Sequence, residues 1–175
     1  MPNAFAVIYS IALIELKKRY LGTKLGWVWA FLPPILTTII VILVVQNGLN
    51  LQRNQAYVGH VVIGLLAWFY LSDCLNQGTT AIMDNAFMLK KVSIPIHYVV
   101  VARLVQVAIV HIGLIIVFYL FLLISGIISF DIKFFQIIYA FFCSTILGFS
   151  LGLLLSTLAP FYRDITGMVP LGVQM

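Results

Sequence analysis

The chain has 175 residues, 63% of them hydrophobic and only 9% charged, with a net charge of +5. Soluble domains carry charge on about a quarter of their residues, so this composition excludes a water-soluble globular protein and a disordered one. The positive balance does not point to nucleic acid either, because the lysines and arginines stand at the ends of apolar runs, where they set orientation in a membrane.

At the start of the chain, Phe5 to Leu16 precedes the basic cluster Lys17, Lys18 and Arg19, the reverse of the order in a cleavable signal. This segment is therefore expected to be retained and, with Ser10 and Glu15 among its apolar residues, to form an amphipathic interfacial helix over about 4–20. Next comes "RYLGTKLGWVWAFLPPI", in which Arg19 and Lys24 hold the headgroup level, Gly22 and Gly26 loosen the turn, and Trp27 and Trp29 join the aromatic belt. Pro33 and Pro34 follow inside the first turns of the span, where Pro34 removes a helical hydrogen bond and kinks the axis.

Apolar stretches of about 20 residues, enough to cross a ~30 Å hydrocarbon core as a helix, occur at Gly26 to Gly48, Tyr57 to Leu75, Val99 to Ile124 and Phe134 to Leu158. The corresponding spans are expected over about 26–48, 57–82, 97–124 and 134–158, and a fifth is begun at 164–175. The fold class expected is all-α: one polytopic transmembrane helical bundle over 1–175, with an amino-terminal interfacial helix, truncated at its carboxyl end. Lys17, Lys18, Arg19, Lys24, Lys90, Lys91 and Arg163 fall on one set of loops, against Arg53 and Lys133 on the other, which places the amino terminus in the cytoplasm.

Among polar positions, Asp73, Asn76, Gln77, Thr80 and Asp84 stand at i, i+3, i+4, i+7 and i+11 and form one stripe if the second span stays helical beyond Leu75. Such a stripe either faces water as a cytoplasmic extension or lines a path through the bundle. Upstream, Trp68, Phe69 and Tyr70 are either ordinary packing or a platform on which sugar rings stack; Trp68 and Tyr70 are the candidate path-lining members. Arg103 lies one turn inside the third span, where it either snorkels to lipid phosphate or attracts an anionic headgroup, and Arg19 is a second candidate for that contact. His111, deeper on the same face, is expected to hydrogen-bond within the bundle.

In "DNAFMLKKVSIPIHYVV", Asp84 is expected to cap a short helix that carries Phe87, Leu89, Lys90 and Lys91 and stops at Pro95. That helix is either a topology-fixing basic turn or a docking knob for a soluble protein. In the fourth span, Ser144, Gly148, Gly152 and Ser156 recur every four residues and prepare a close helix–helix contact, with a neighbour in the same chain or in a second copy. No phosphate loop, zinc-binding histidine pair or nucleophile elbow is present in the sequence; the three histidines are scattered, and Cys74 and Cys143 make no disulfide framework. Catalytic and metal residues are accordingly expected to be none.

Taken together, "RYLGTKLGWVWAFLPP", "NAFMLKKVSIP" and "APFYRDITGMVP" resemble the signatures of type-2 permease subunits of ATP-binding cassette exporters. The nearest branch in that resemblance exports lipid-linked polysaccharides such as O-antigen, capsule and teichoic acid (the polyol phosphate export group). Two local departures are the double proline at Pro33 and Pro34 and Ile94 where an aromatic is common. The resemblance implies six spans after an interfacial helix, so the chain is expected to be the amino-terminal portion of a longer permease.

It also implies an ATPase-coupling loop at Asp84, Asn85, Phe87, Leu89, Lys90, Lys91 and Pro95, and places Arg163 and Asp164 at the cytoplasmic mouth of the fifth span. Its implied partners are a cytoplasmic ATP-binding cassette ATPase subunit, a second permease copy, a lipid-linked glycan and membrane lipids, in the cell inner membrane. No cofactor is expected on this chain, with ATP and Mg on the partner subunit, and no nucleic acid. The alternatives are a type-2 permease for a drug or small lipid, and a non-transporting membrane protein, either an anchor or a lipid-modifying enzyme.

Overall fold

The computed structural model describes residues 3–20, 26, 28–48, 55–124, 126 and 133–174. Among them the regular structure is entirely α-helical, in seven elements: α1 Ala4–Tyr20, α2 Val28–Gly48, α3 Gln55–Asp84, α4 Ala86–Lys91, α5 Ile96–Ile124, α6 Lys133–Leu158 and α7 Ile165–Gln174. Gly22, Lys24, Trp27 and Arg53 lie outside the described residues. Gly26, just before α2, has φ of +47°, a left-handed conformation that glycine adopts without the Cβ clash other residues meet.

Two helices among the described residues, Ile96–Ile124 and Ile137–Leu158, are long and apolar enough to cross a bilayer. α5 is the central one. Its positions Val100, Leu104, Val107, His111, Leu114, Phe118 and Leu122 recur at helical spacing and are all buried, while Ile112, Ile116, Leu120 and Phe121 on the other flank are exposed. α6 leaves Ile138, Tyr139, Phe142, Ile146, Leu147 and Leu154 exposed, an apolar surface suited to lipid tails.

The short α4 link turns the chain back, so α5 runs antiparallel to α3. α6 in turn runs parallel to α3, since Gly152 sits against Gly78 and Gly148 against Cys74, one register maintained over a full turn. The ends that lead into Lys90 and Lys91 and into Arg163 are therefore at the same end of the bundle.

Between α3 and α6 the approach is as close as backbones permit: a Cβ built on Gly78 would lie 2.8 Å from Gly152 Cα, and one on Gly148 would lie 3.0 Å from Cys74 Cβ. In lipid there is no hydrophobic drive between helices, so close van der Waals contact of this kind is what holds them. The partner of the small-residue stripe is thus α3 of the same chain. Gly78 is its other half. Ser156 is fully buried and Ser144 half-buried, and both hydroxyls donate back to their own helix, to Leu153 O at 2.7 Å and Ala140 O at 2.9 Å.

α1 follows α5 in the same direction. Ile11 and Ala12 cluster with Ala102, and further on Leu16 and Tyr20 cluster with Val110 and Leu114. The opposite side of α1 exposes Phe5, Tyr9, Ile14 and the basic Lys17, Lys18 and Arg19, so the helix offers lipid apolar side chains along most of its length and charges at its last turn.

Candidate functional site

At the end of the bundle that carries α4, three elements distant in sequence meet on one guanidinium. Arg103 Nη1 donates to Glu15 Oε2 at 2.6 Å and Arg103 Nη2 donates to Asp84 Oδ2 at 2.7 Å. Thr80 Oγ1 donates to the same Asp84 oxygen at 2.9 Å. Arg103 and Glu15 are 11% and 7% exposed, so this arm of the network is shielded from water, whereas Asp84 at 49% is not. Lys18 reaches Glu15 at 3.5 Å from a side chain that is 64% exposed and adds little.

The network joins α1, α5 and the last turn of α3. Arg103 thus has two carboxylates as partners within the chain, in place of the expected lipid phosphate. Glu15, which α1 buries, was noted in the sequence only as a polar position; an acidic residue amid an apolar helix is the signal that it needs a partner.

The same network corrects the expected cap of α4. Asp84 ends α3 with its carboxylate on Arg103, because a cation at 2.7 Å binds that charge more strongly than a neutral backbone N–H. Asn85 takes the cap position without a side-chain cap bond; its Nδ2 instead donates to Ala81 O at 3.1 Å, and the residue is buried.

From that anchor α4 projects two faces. Met88, together with Ile94 after the helix, packs against the cluster of Ile11, Ala12 and Ala102. Phe87, 71% exposed, points away, with the Lys91 ammonium 4.1 Å from its ring centroid, and Lys90 is exposed beside it. Leu89 is half-buried. The helix closes with Val92 N–H donating to Met88 O at 3.0 Å, and Pro95 opens α5, its carbonyl accepting from Tyr98 N–H at 3.0 Å. Met88, absent from the expected set, is the α4 residue that packs against this cluster of α1 and α5 side chains.

Higher in the bundle, Asp73 Oδ2 faces His111 Nε2 at 3.7 Å, while His111 Nδ1 lies 3.1 Å from Val107 O. With Asp84 on Arg103 and Asp73 on His111, the polar stripe of α3 is turned toward α5 at both ends. Gln77 is buried, and Asn76 Nδ2 donates to Ser72 Oγ at 3.4 Å. Both carboxylates also keep an open side, Asp84 being half exposed and Asp73 lining a cleft, so the stripe lies between α5 and open space.

The three adjacent aromatics are likewise separated, since consecutive helical residues point about 100° apart. Tyr70 is fully buried between His111 and Phe141, with ring centroids 5.2 Å and 4.7 Å away, while Trp68 is half exposed on the outer side. No common stacking platform exists among them. Phe69 instead faces a cleft shared with Trp29, Arg19, Ser72, Asp73 and His111. Burial pushes the Tyr20 phenol at this cleft above its ordinary value, an effect that the neighbouring Arg19 opposes.

After α6, at the same end of the bundle as α4, Arg163 and Asp164 are exposed, and the Asp164 carbonyl accepts from Gly167 and Met168 N–H at 3.0 and 2.9 Å, which starts α7. Among the described residues no three His, Cys, Asp or Glu side chains converge as a metal site.

A family model described as ABC-2 type transporter matches residues 7–175. The chain belongs to the ABC-2 type transporter family. Among similar curated proteins, the O-antigen export system permease protein RfbA of Myxococcus xanthus is 33% identical over 89 residues, covering 51% of this chain and 34% of that protein. Two proteins of the same name from Klebsiella pneumoniae are 23% and 22% identical over 171 residues, 98% of this chain and 66% of each. The chain thus spans between a third and just under two thirds of the length of these curated relatives. Membership of the ABC-2 family, with two helices suited to the bilayer, makes this a membrane protein of a transporter family.

Proposed function

We propose that this ABC-2 chain is the membrane-spanning permease part of an ATP-driven exporter that moves a lipid-linked polysaccharide of O-antigen, capsule or teichoic-acid type across the cytoplasmic membrane. The observation that carries the reading is the similarity, over 98% of the chain, to proteins named O-antigen export system permeases. In this reading four spans begin in the cytoplasm, a second permease copy completes the path, and a separate cytoplasmic ATPase subunit holds ATP and Mg. This chain supplies the coupling.

The geometry of α4 supports that role. Phe87 and the Lys90/Lys91 pair offer an apolar knob with positive charge around it, a form that an ATPase groove with an acidic rim accepts. A pull on α4 passes to α1 through Met88 and Ile94, and to both α1 and α5 through Asp84, Arg103 and Glu15. Nucleotide binding then biases one of two packings of the permease, because these contacts are discrete and not continuously deformable.

The test is made in the full-length protein. Affinity purification of the permease is expected to recover the ATPase subunit, and loss of the permease is expected to trap the glycan on the cytoplasmic side. Normal glycan export in a strain lacking the permease sinks the substrate assignment; failure of the full-length chain to recruit an ATPase sinks the coupling assignment.

A further inference from the structure

The cleft between α1, α2, α3 and α5, about 170 Å³, is not used by the coupling geometry. It has room for a small polar headgroup, since a water molecule occupies about 30 Å³ of liquid. It contains an imbalance of hydrogen-bonding groups.

Pro33 and Pro34 have no N–H, so the carbonyl of Ala30, a residue that lines the cleft, lacks both its 3₁₀ and its α-helical donor. His111 Nδ1 lies 3.1 Å from Val107 O, which only accepts, so this nitrogen carries the proton, and in the neutral ring Nε2 is an acceptor. That acceptor faces Asp73 Oδ2, another acceptor, at 3.7 Å, a separation at which the two do not hydrogen-bond to one another. The Asp73 side chain is 40% exposed, and among the described residues no lysine or arginine nitrogen lies within 4.0 Å of it. Asp73 Oδ2 and His111 Nε2 are therefore two acceptors with no donor between them, in a cleft that Ala30 also lines, about 16 Å up α3 from Asp84; among its described lining residues the cation is Arg19.

We infer that this cleft binds the zwitterionic headgroup of an ethanolamine phospholipid. The ammonium sits among Asp73, His111 Nε2 and the Ala30 carbonyl, and supplies three N–H donors to three acceptors. The phosphate lies on Arg19, and the acyl chains run along the exposed Ile35, Leu36, Ile39 and Ile40 of α2, which leads directly from Pro34. Charge decides against the lipid-diphosphate head of a glycan carrier at this position. Among the described lining residues one arginine and one aspartate sum to neutrality, which matches a zwitterion, whereas a diphosphate brings at least two negative charges toward Asp73. A bound structural lipid here would hold α1 and α2 against α3 and α5.

The experiment is native mass spectrometry of the full-length permease complex released from nanodiscs containing equal amounts of dioleoyl phosphatidylethanolamine, phosphatidylglycerol and phosphatidylcholine. The unsubstituted protein is expected to retain phosphatidylethanolamine at one site per chain at least tenfold over the other two. The choline lipid discriminates without any substitution, because its quaternary nitrogen has the same charge and no N–H. Asp73→Asn is expected to cut the retained ethanolamine lipid at least tenfold and Arg19→Gln at least fivefold.

Equal retention of the three lipids, or an ethanolamine preference that survives both Asp73→Asn and Arg19→Gln, overturns the inference. So does displacement of the ethanolamine lipid from this site by an isoprenyl diphosphate sugar, which assigns the cleft to cargo. The readout is lipid retention and not export, so its failure leaves the exporter reading as it stands.

Discussion

Replacing Arg103 by Met tests the ion network with little change in side-chain length. The loss leaves Glu15, only 7% exposed, as a buried carboxylate whose remaining cation is Lys18 at 3.5 Å, itself 64% exposed. Breaking a buried pair by removing one partner costs about 3–5 kcal/mol, while an exposed pair such as Lys18 with Glu15 is worth at most about 1 kcal/mol. The Asp84 arm, half in solvent, contributes about 0.5–1 kcal/mol on the same grounds.

Arg103→Met is therefore expected to destabilise the chain by about 3 kcal/mol, most of it through Glu15. Adding Glu15→Gln removes the stranded charge and is expected to recover most of that loss, a coupling of about 2 kcal/mol. Reversible unfolding of the four members of the cycle, in one lipid and detergent mixture, measures it. A single-variant loss below about 0.5 kcal/mol, or a double variant no more stable than Arg103→Met alone, refutes the reasoning, for then the guanidinium is not what keeps Glu15 buried.

Gly78→Ala places a Cβ 2.8 Å from Gly152 Cα and is expected to cost about 1–3 kcal/mol by overpacking, while Gly113→Ala, with nothing within 4 Å, is expected to be neutral or slightly stabilising; thermal melts separate them. Gly26→Ala forces a Cβ into a left-handed turn at φ +47° and is expected to cost about 1–2 kcal/mol, with Gly26→Asn milder, in the same measurement. Phe87→Ala, at an exposed site, is expected to leave the stability unchanged within about 0.5 kcal/mol while it lowers both recovery of the ATPase subunit and transport-coupled ATP hydrolysis. Retained coupling in Phe87→Ala together with Lys90→Glu and Lys91→Glu removes α4 from the interface.

Much was legible before any coordinates, and for local reasons. Composition put the chain in a membrane because no soluble core accommodates so apolar a sequence, and Asp84 to Pro95 read as a short basic helix because its apolar, charged and breaker residues lie within a few turns of each other. The close-approach stripe of α6 was visible because small residues every four positions have one geometric consequence in lipid. Side-chain partners are a different kind of information. Glu15 and Arg103 are 88 residues apart, and no periodicity in α1 or α5 names the other. The rotation of α3, which buries Tyr70, exposes Trp68 and turns Asp73 and Asp84 toward α5, depends on the sum of contacts from α5 and α6. Local chemistry, read in order, determined which segments are helices and which residues are small, charged or proline; only tertiary packing, where helix rotation and register are chosen jointly, decided which of those residues meet.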